Sequence, residues 1–121
     1  MVVSRTVAVV LSSATSSAAA ATALQLADRL LARGHRVAIF AHGDAVDLAL
    51  ATSSAAGAVA ALLHRGVHGA TLDWVVEGAA AGGRPLVEGV VTGDDADLWR
   101  FVRDADVVLA PGGGQPWPVA S

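Results

Sequence analysis

The sequence predicts an α/β domain, a three-layer α/β/α sandwich with a mostly parallel sheet of about five strands. Residues 6–11 and 35–41 are nearly continuous apolar runs, which is typical of strands buried on both faces. Between them, residues 18–33 place Leu and Ala at helical spacing, and Gly34 follows as a helix stop. A strand, a helix and a strand in this order form a βαβ unit, so the two strands should be parallel.

The rest of the chain alternates short elements. We expect helices at residues 44–51, 55–65, 73–81 and 95–104. We expect further strands at residues 69–72 and 106–110. Residues 86–91 fit either a strand or an extended connection, and Trp99 on the last helix is expected to reach the core in part.

The length of 121 residues allows one domain. We assign residues 1–110 to it and residues 111–121 to a Pro- and Gly-rich tail, in which Trp117 is a candidate anchor for a neighbour's groove. A mean hydropathy of +0.55 is high for a monomer, and only 16% of the residues are charged. The leftover apolar surface predicts a homo-oligomer.

Charge and composition exclude several function classes. The net charge is −3, and no segment concentrates the eight Arg residues, so we expect no nucleic-acid partner. The chain has no Lys, which excludes Schiff-base chemistry on this chain. It has no Cys, which excludes disulfides, thiolate nucleophiles and Cys-based metal sites.

Nothing in the sequence points to a membrane or to export. The apolar run at residues 18–21 is closed by Asp28 and Arg29, well short of the ~20 residues of a membrane span. The first residues lead directly into a strand pattern and do not resemble a signal peptide. We therefore expect a cytoplasmic protein without a membrane partner.

Ligands of parallel α/β sheets bind outside the carboxyl ends of the strands. Four segments of this chain should meet there: residues 12–17, 42–44, 73–74 and 111–114. The candidate ligand-binding residues are Ser12, Ser13, Thr15, Ser16, His42, Asp44, Asp73 and Trp74. The hydroxyl-rich loop at residues 12–17 fits either a helix cap alone or an anion site at a helix N-terminus.

His42 and Asp73 are the candidate catalytic residues, since an imidazole and a carboxylate can act as general base and acid. Each also has a purely structural interpretation, His42 as a turn residue with local hydrogen bonds and Asp73 as a helix N-cap. His64 and His68 are four residues apart, but Gly66 lies between them, so we expect no metal site. We also expect no cofactor, because the loop lacks the Gly of a flavodoxin phosphate loop and aromatic residues are scarce.

The order of elements resembles the DsrE/DsrF-like (sulfur-relay) family over residues 5–110. The resemblance rests on residues 7–13, 33–40, 43–46, 62–67, 86–90 and 105–109. It implies the predicted fold and assembly into a trimer or hexamer. The well-known members carry sulfur on a cysteine near the start of the helix after the third strand. Here that position falls at about Asp73 or Trp74, so the sulfur-carrier role does not transfer.

Two hypotheses of function therefore stay open. In the first, the chain is a cysteine-free DsrE-like protein that acts as an oligomeric scaffold or binds a small ligand. In the second, it is a small enzyme that uses His42 and Asp73 on an anionic small molecule.

Overall fold

The computed structural model describes residues 5–13, 16–66 and 72–111. In this part of the chain, five parallel strands form one sheet. The strand order is β4-β3-β2-β1-β5. The strands are β1 (Thr6–Leu11), β2 (Arg36–Ala41), β3 (Leu72–Glu77), β4 (Val91–Gly93) and β5 (Val107–Leu109). Every neighbouring pair is parallel, which confirms the predicted α/β class.

The helices connect these strands. They are α1 (Ser17–Ala32), a 3₁₀ helix (Gly43–Ala49), α2 (Ala56–Gly66), α3 (Gly78–Ala81) and α4 (Asp95–Asp104). The sequence predictions for β1, α1 and β2 are confirmed to within one residue. None of the described helices has the length and apolar character of a membrane span.

The main core lies on one face of the sheet. Alternate residues of the central strands point to this face, as the two-residue period of a strand requires. They are Val7, Val9 and Leu11 of β1, Val37, Ile39 and Ala41 of β2, and Trp74 and Val76 of β3. Opposite them, α1 contributes Ala23, Ala27 and Leu31, and α2 contributes Val59 and Leu62. The small Ala side chains let α1 lie close to the sheet.

The second face is covered by α4, which packs on β1, β2 and β4. Phe40 is 1% exposed and meets Phe101 of α4 edge-on, with 6.5 Å between the ring centroids. Trp99 is 69% exposed, so the expectation that it reaches the core is wrong. Phe101 provides the contact of α4 with Phe40, and Trp99 lies at the exposed surface of the same helix.

The third strand differs from the prediction. β3 covers Leu72–Glu77, so residues 73–77 form a strand where a helix was expected, and only four helical residues follow. Residues 67–71 lie outside the described part. The spacing of Asp73 and Glu77 fits one helix face, but the residues between them are Trp and two Val, which pack well in a strand. The strand is favoured over the helix because it buries Trp74 and Val76 in the core.

The segment after α3 contains one isolated β-bridge and then the short strand β4. Leu86 forms an isolated antiparallel bridge with Leu50, and β4 begins only at Val91. Residues 86–91, for which the sequence left two interpretations open, are therefore mainly a connection. The last strand, β5, is two residues shorter than predicted and ends at Leu109.

Candidate functional site

Hydrogen bonds from the backbone N–H groups of one turn, residues 42–44, connect the carboxyl ends of β1, β2 and β3. The N–H of His42 donates to the carbonyl of Leu11 at 3.0 Å. The N–H of Asp44 donates to Ser13 Oγ at 3.0 Å, and the N–H of Gly43 donates to Glu77 Oε1 at 3.3 Å. The turn is therefore fixed between the loop after β1 and the end of β3.

Gly43 is required at this turn for two reasons. Its φ is +60°, in the left-handed region that glycine adopts without strain. A Cβ at this position would also collide with Ser13 Oγ. The sequence Gly-Asp after β2 thus lets the two loops approach each other closely.

A small cavity of about 270 Å³ opens beside this turn, and we call it the serine pocket. It lies between the start of α1 and the 3₁₀ helix. Its lining consists of Ser12, Ser16, Ser17, Ala20, Asp44, Ala45, Asp47, Leu48 and Ser53. Four hydroxyls and two carboxylates thus converge on a space large enough for a small molecule.

Several of these polar groups already have structural partners. Ser16 is the N-cap of α1, and its Oγ accepts from the N–H of Ala19 at 3.1 Å. Ser53 Oγ accepts from the N–H of Ala55 at 3.0 Å. Asp47 forms an ion pair with Arg84 at 3.0 Å, with both side chains about half exposed. A hydroxyl that accepts one hydrogen bond can still donate its own proton to a ligand.

Asp44 and Ser17 have no such partner. Within residues 5–13, 16–66 and 72–111, no Arg pairs with Asp44, and no hydrogen bond involves the Ser17 hydroxyl. Both side chains are exposed at the mouth of the pocket. They are the groups that a ligand could engage without breaking a bond of the fold.

The electrostatics of the pocket are mixed. The first turn of α1 carries no acidic residue, so its N-terminus contributes a partial positive charge, about half an elementary charge. Asp44 and Asp47 contribute negative charge on the other side. A ligand hydroxyl suits both sides, because it accepts from N–H and serine donors and donates to carboxylates.

The structure brings together part of the predicted set. Ser12, Ser16 and Asp44 line the serine pocket, and Ser13 is attached to it through the N–H of Asp44. His42 is not part of the pocket lining. Its ring lies 6.3 Å from the ring of Phe40, which packs against α4. Thr15 lies outside the described residues.

The predicted position of Asp73 and Trp74 at this edge is wrong. Asp73 pairs with Ala38 near the start of β3, about 13 Å along the strand from the level of His42. It lines a different cavity, of about 370 Å³, together with Arg36 and Arg100. Trp74 is 1% exposed in the core, and its Nε1 has no hydrogen-bond partner in the described part of the chain. The His42–Asp73 pair of the enzyme hypothesis is therefore not formed.

Sequence reasoning missed Glu77, Asp47 and Ser53 as residues of this edge, whereas Ser17 belongs to the loop at residues 12–17 that was expected there. Glu77 was masked by the helical interpretation of residues 73–81, which moved the end of the third strand five residues too early. The apolar run at residues 74–76 is the signal that could have located it, because the polar residue after a buried strand marks the carboxyl edge. Among the described residues, no group of three or more His, Asp or Glu side chains could hold a metal ion.

Comparisons with known proteins agree with this architecture. The sequence model of the DsrE/DsrF-like family matches residues 5–110. The fold is similar to the crystal structure of the ychN protein from E. coli, at 21% identity and a TM-score of 0.71, over 88% of this chain and 98% of that one. It is also similar to MTH1491, a protein of unknown function from Methanobacterium thermoautotrophicum, at 16% identity and a TM-score of 0.73, over 88% and 99%. The comparison with curated proteins gave no match.

Proposed function

Because this chain belongs to the DsrE/DsrF-like family but has no cysteine, we propose that it binds a small, neutral, hydroxyl-bearing molecule in the serine pocket and does not carry sulfur. The observation that carries the proposal is the convergence of serine hydroxyls, a helix N-terminus and two carboxylates on one cavity of about 270 Å³. The cytoplasmic location inferred from the sequence stays a prediction.

The end of β3 supports a role other than sulfur transfer. In the structure, the helix after the third strand begins at Gly78, with Glu77 as its N-cap residue. The place at which the sulfur-relay members hold their cysteine therefore corresponds to residues 77–79, and not to Asp73 or Trp74. At this place the chain has a carboxylate, and it accepts a hydrogen bond from Gly43.

The proposal is tested with saturation-transfer NMR, using glucose as a neutral hydroxyl-rich probe and glucose 6-phosphate as an anionic one. We expect transfer to glucose and weaker transfer to the phosphate, because Asp44 and Asp47 oppose a full negative charge. Asp44→Asn should weaken glucose binding about tenfold, since the amide oxygen still accepts a hydrogen bond but the bond loses the charge of the carboxylate. Asp95→Asn, an exposed carboxylate at the start of α4, is the matched control.

Two results would contradict binding in the serine pocket. One is the absence of transfer to glucose from the wild-type protein. The other is equal binding by the wild type and Asp44→Asn, which would place the probe elsewhere on the surface. Preference for the phosphate would overturn the neutral ligand class.

A second candidate function, a homo-oligomeric scaffold, is favoured by two exposed apolar side chains. Trp99 on α4 is 69% exposed, and Val91 on β4 is 56% exposed. Trp is enriched at the centres of protein interfaces, where a few large side chains dominate the binding energy. We propose that a neighbouring subunit covers Trp99 in a closed assembly, for which the family resemblance implies a trimer or hexamer.

Light scattering coupled to size-exclusion chromatography tests the assembly. We expect a multiple of 12.1 kDa at micromolar concentration for the wild type and a shift to lower mass for Trp99→Ser. Arg29→Ser, an exposed position on α1 at the other face of the sheet, is the control and should keep the wild-type mass. A wild-type protein that elutes as a monomer contradicts the scaffold proposal.

A further inference from the structure

A cavity of about 370 Å³ lies at the amino edge of the sheet, between β1, β2, β3 and α4, and we call it the Arg36 cavity. The charged groups of its lining are Arg36, Asp73, Arg100 and Asp104. The cavity is at the opposite edge from the serine pocket, so a ligand here is independent of the one proposed above. The site consists of described residues alone, and residues 67–71 and the predicted tail with Trp117 lie outside them.

The strand register places Arg36 and Asp73 on the same face of neighbouring strands. Asp73 pairs with Ala38, and Arg36 precedes Ala38 by two residues, which is the repeat of side chains on one face of a strand. Two residues along a strand and one step between strands separate the Cα atoms of Arg36 and Asp73 by about 8 Å. The guanidinium and the carboxylate thus border one space from two strands, and Ala38 forms part of its floor.

The charges that α4 contributes to this cavity are neutralised within the helix. Arg100 and Asp104 each form an ion pair with another residue of α4, at 2.9 and 3.1 Å. In contrast, no ion pair or side-chain hydrogen bond joins Arg36 or Asp73 to another group in the described part of the chain. The cavity therefore offers a ligand one unpaired positive group and one unpaired negative group.

We propose that the Arg36 cavity binds a free α-amino acid, with its carboxylate on Arg36 and its ammonium group on Asp73. A guanidinium binds a carboxylate through two parallel N–H···O bonds, and the Asp73 carboxylate accepts hydrogen bonds from an ammonium group. A simple anion would be repelled by Asp73, and a simple cation would be repelled by Arg36. A ligand with one charge of each sign satisfies both groups, so the pair selects a zwitterion.

The rest of the lining favours an amino acid with an apolar side chain. Phe101 of α4 lines the cavity and is half-buried, because its ring also packs edge-on against Phe40. Val37 and Ala38 are buried beneath the cavity, at 2% and 7% exposure. An aliphatic side chain that lies against the Phe101 ring removes apolar surface from water, which stabilises the complex. We therefore choose leucine as the probe.

A heteronuclear NMR titration with L-leucine tests the proposal, because it reports both the affinity and the location of binding. We expect the amide signals of Ala38 and Asp73 to shift, while that of Asp44 in the serine pocket stays unchanged. Two analogues keep the leucine side chain, since isocaproate lacks only the ammonium group and isoamylamine lacks only the carboxylate. Each should bind about tenfold more weakly than leucine, because one hydrogen-bonded charge pair is lost.

Two charge-removing variants assign the roles of the two side chains. Arg36→Gln and Asp73→Asn should each weaken leucine binding about tenfold, and both residues are exposed, so neither substitution disturbs the core. Arg36→Gln should not weaken the binding of isoamylamine, which has no carboxylate. The matched controls are Arg29→Gln on α1 and Asp95→Asn in the first turn of α4, and both should bind leucine like the wild type.

Three results would overturn the proposal. The first is a titration in which leucine leaves the signals of Ala38 and Asp73 unchanged. The second is an analogue that binds as tightly as leucine, since isocaproate would then define an anion site and isoamylamine a cation site. The third is leucine binding by Arg36→Gln or Asp73→Asn that equals binding by the controls.

Discussion

The N–H of Gly43 donates a hydrogen bond to Glu77 Oε1 at 3.3 Å, and this bond joins the turn after β2 to the end of β3. Glu77 is half-buried and is also the N-cap residue of α3. The Glu77 carboxylate thus fixes the turn that contains Asp44, and Asp44 lines the serine pocket. The candidate ligand site and the fold of the carboxyl edge depend on the same contact.

Glu77→Ala should destabilise the protein by about 1–3 kcal/mol, because the N–H of Gly43 loses a charged acceptor in a partly buried position. Urea denaturation measures the free energy of unfolding. Glu77→Gln keeps an oxygen acceptor at the same distance and should cost less than half as much. Equal losses in the two variants would show that the carboxylate charge, and not the hydrogen bond, provides the stability.

Gly43→Ala should destabilise the protein by about 2 kcal/mol or more, because it combines a strained φ with a collision against Ser13 Oγ. The matched control is Gly34→Ala, since Gly34 has a φ of +81° and nothing within 4 Å of an added Cβ. It should show the cost of backbone strain alone, about 1 kcal/mol.

The double variant Ser13→Ala/Gly43→Ala separates the two contributions at Gly43. Removal of Oγ relieves the collision, so the two substitutions together should cost less than the sum of the single ones. Thermal or urea unfolding of all four proteins completes the cycle. Strictly additive losses would mean that Ser13 moves aside without cost and that the close approach of the two loops is unimportant.

The sequence predicts an element correctly where one hydrophobic pattern dominates the segment. β1, α1 and β2 combine long apolar periodicity with a clear helix stop at Gly34, and their limits are predicted within one residue. The segment after α2 carries two competing patterns. Asp73 and Glu77 have the spacing of a helix face, while Trp74 and Val76 have the alternation of a strand, and only burial against α1 and α2 selects between them.

The same competition explains the errors at the candidate site. Ser12, Ser16 and Asp44 follow correctly predicted strands, and they meet as expected. Asp73 follows an incorrectly placed strand and lies near the other edge. The side-chain direction of His42 depends on the pleat of β2, which directs it with Phe40 toward α4. Polar residues in a loop can therefore be located from sequence only when the strand before them is placed correctly.

Asp94→Ala should lower the stability of α4 and of the protein by about 1–2 kcal/mol. Asp94 Oδ1 accepts from the N–H groups of Ala96 and Asp97, and Asp97 Oδ2 accepts from the N–H of Asp94, a capping box. Circular dichroism during urea denaturation measures the loss. Asp94→Ser retains an acceptor and should recover most of the stability, whereas Asp95→Ala, one residue further, should have a small effect. A large loss in the Asp95 variant would mean that first-turn charge matters more than the cap.

The absence of a thiol leads to the last prediction, that the wild-type protein takes up no sulfur. A persulfide forms on a cysteine thiolate, and this chain offers no such group to a donor. After incubation with a persulfide donor and denaturation, intact-mass spectrometry should therefore give the unmodified mass. Ala79→Cys supplies a thiol on the exposed side of α3, near the start of the helix after β3, and should gain the mass of sulfur under the same conditions. Covalent label on the wild type that survives denaturation would contradict this prediction and, with it, the assignment of the carboxyl edge to a function other than sulfur transfer.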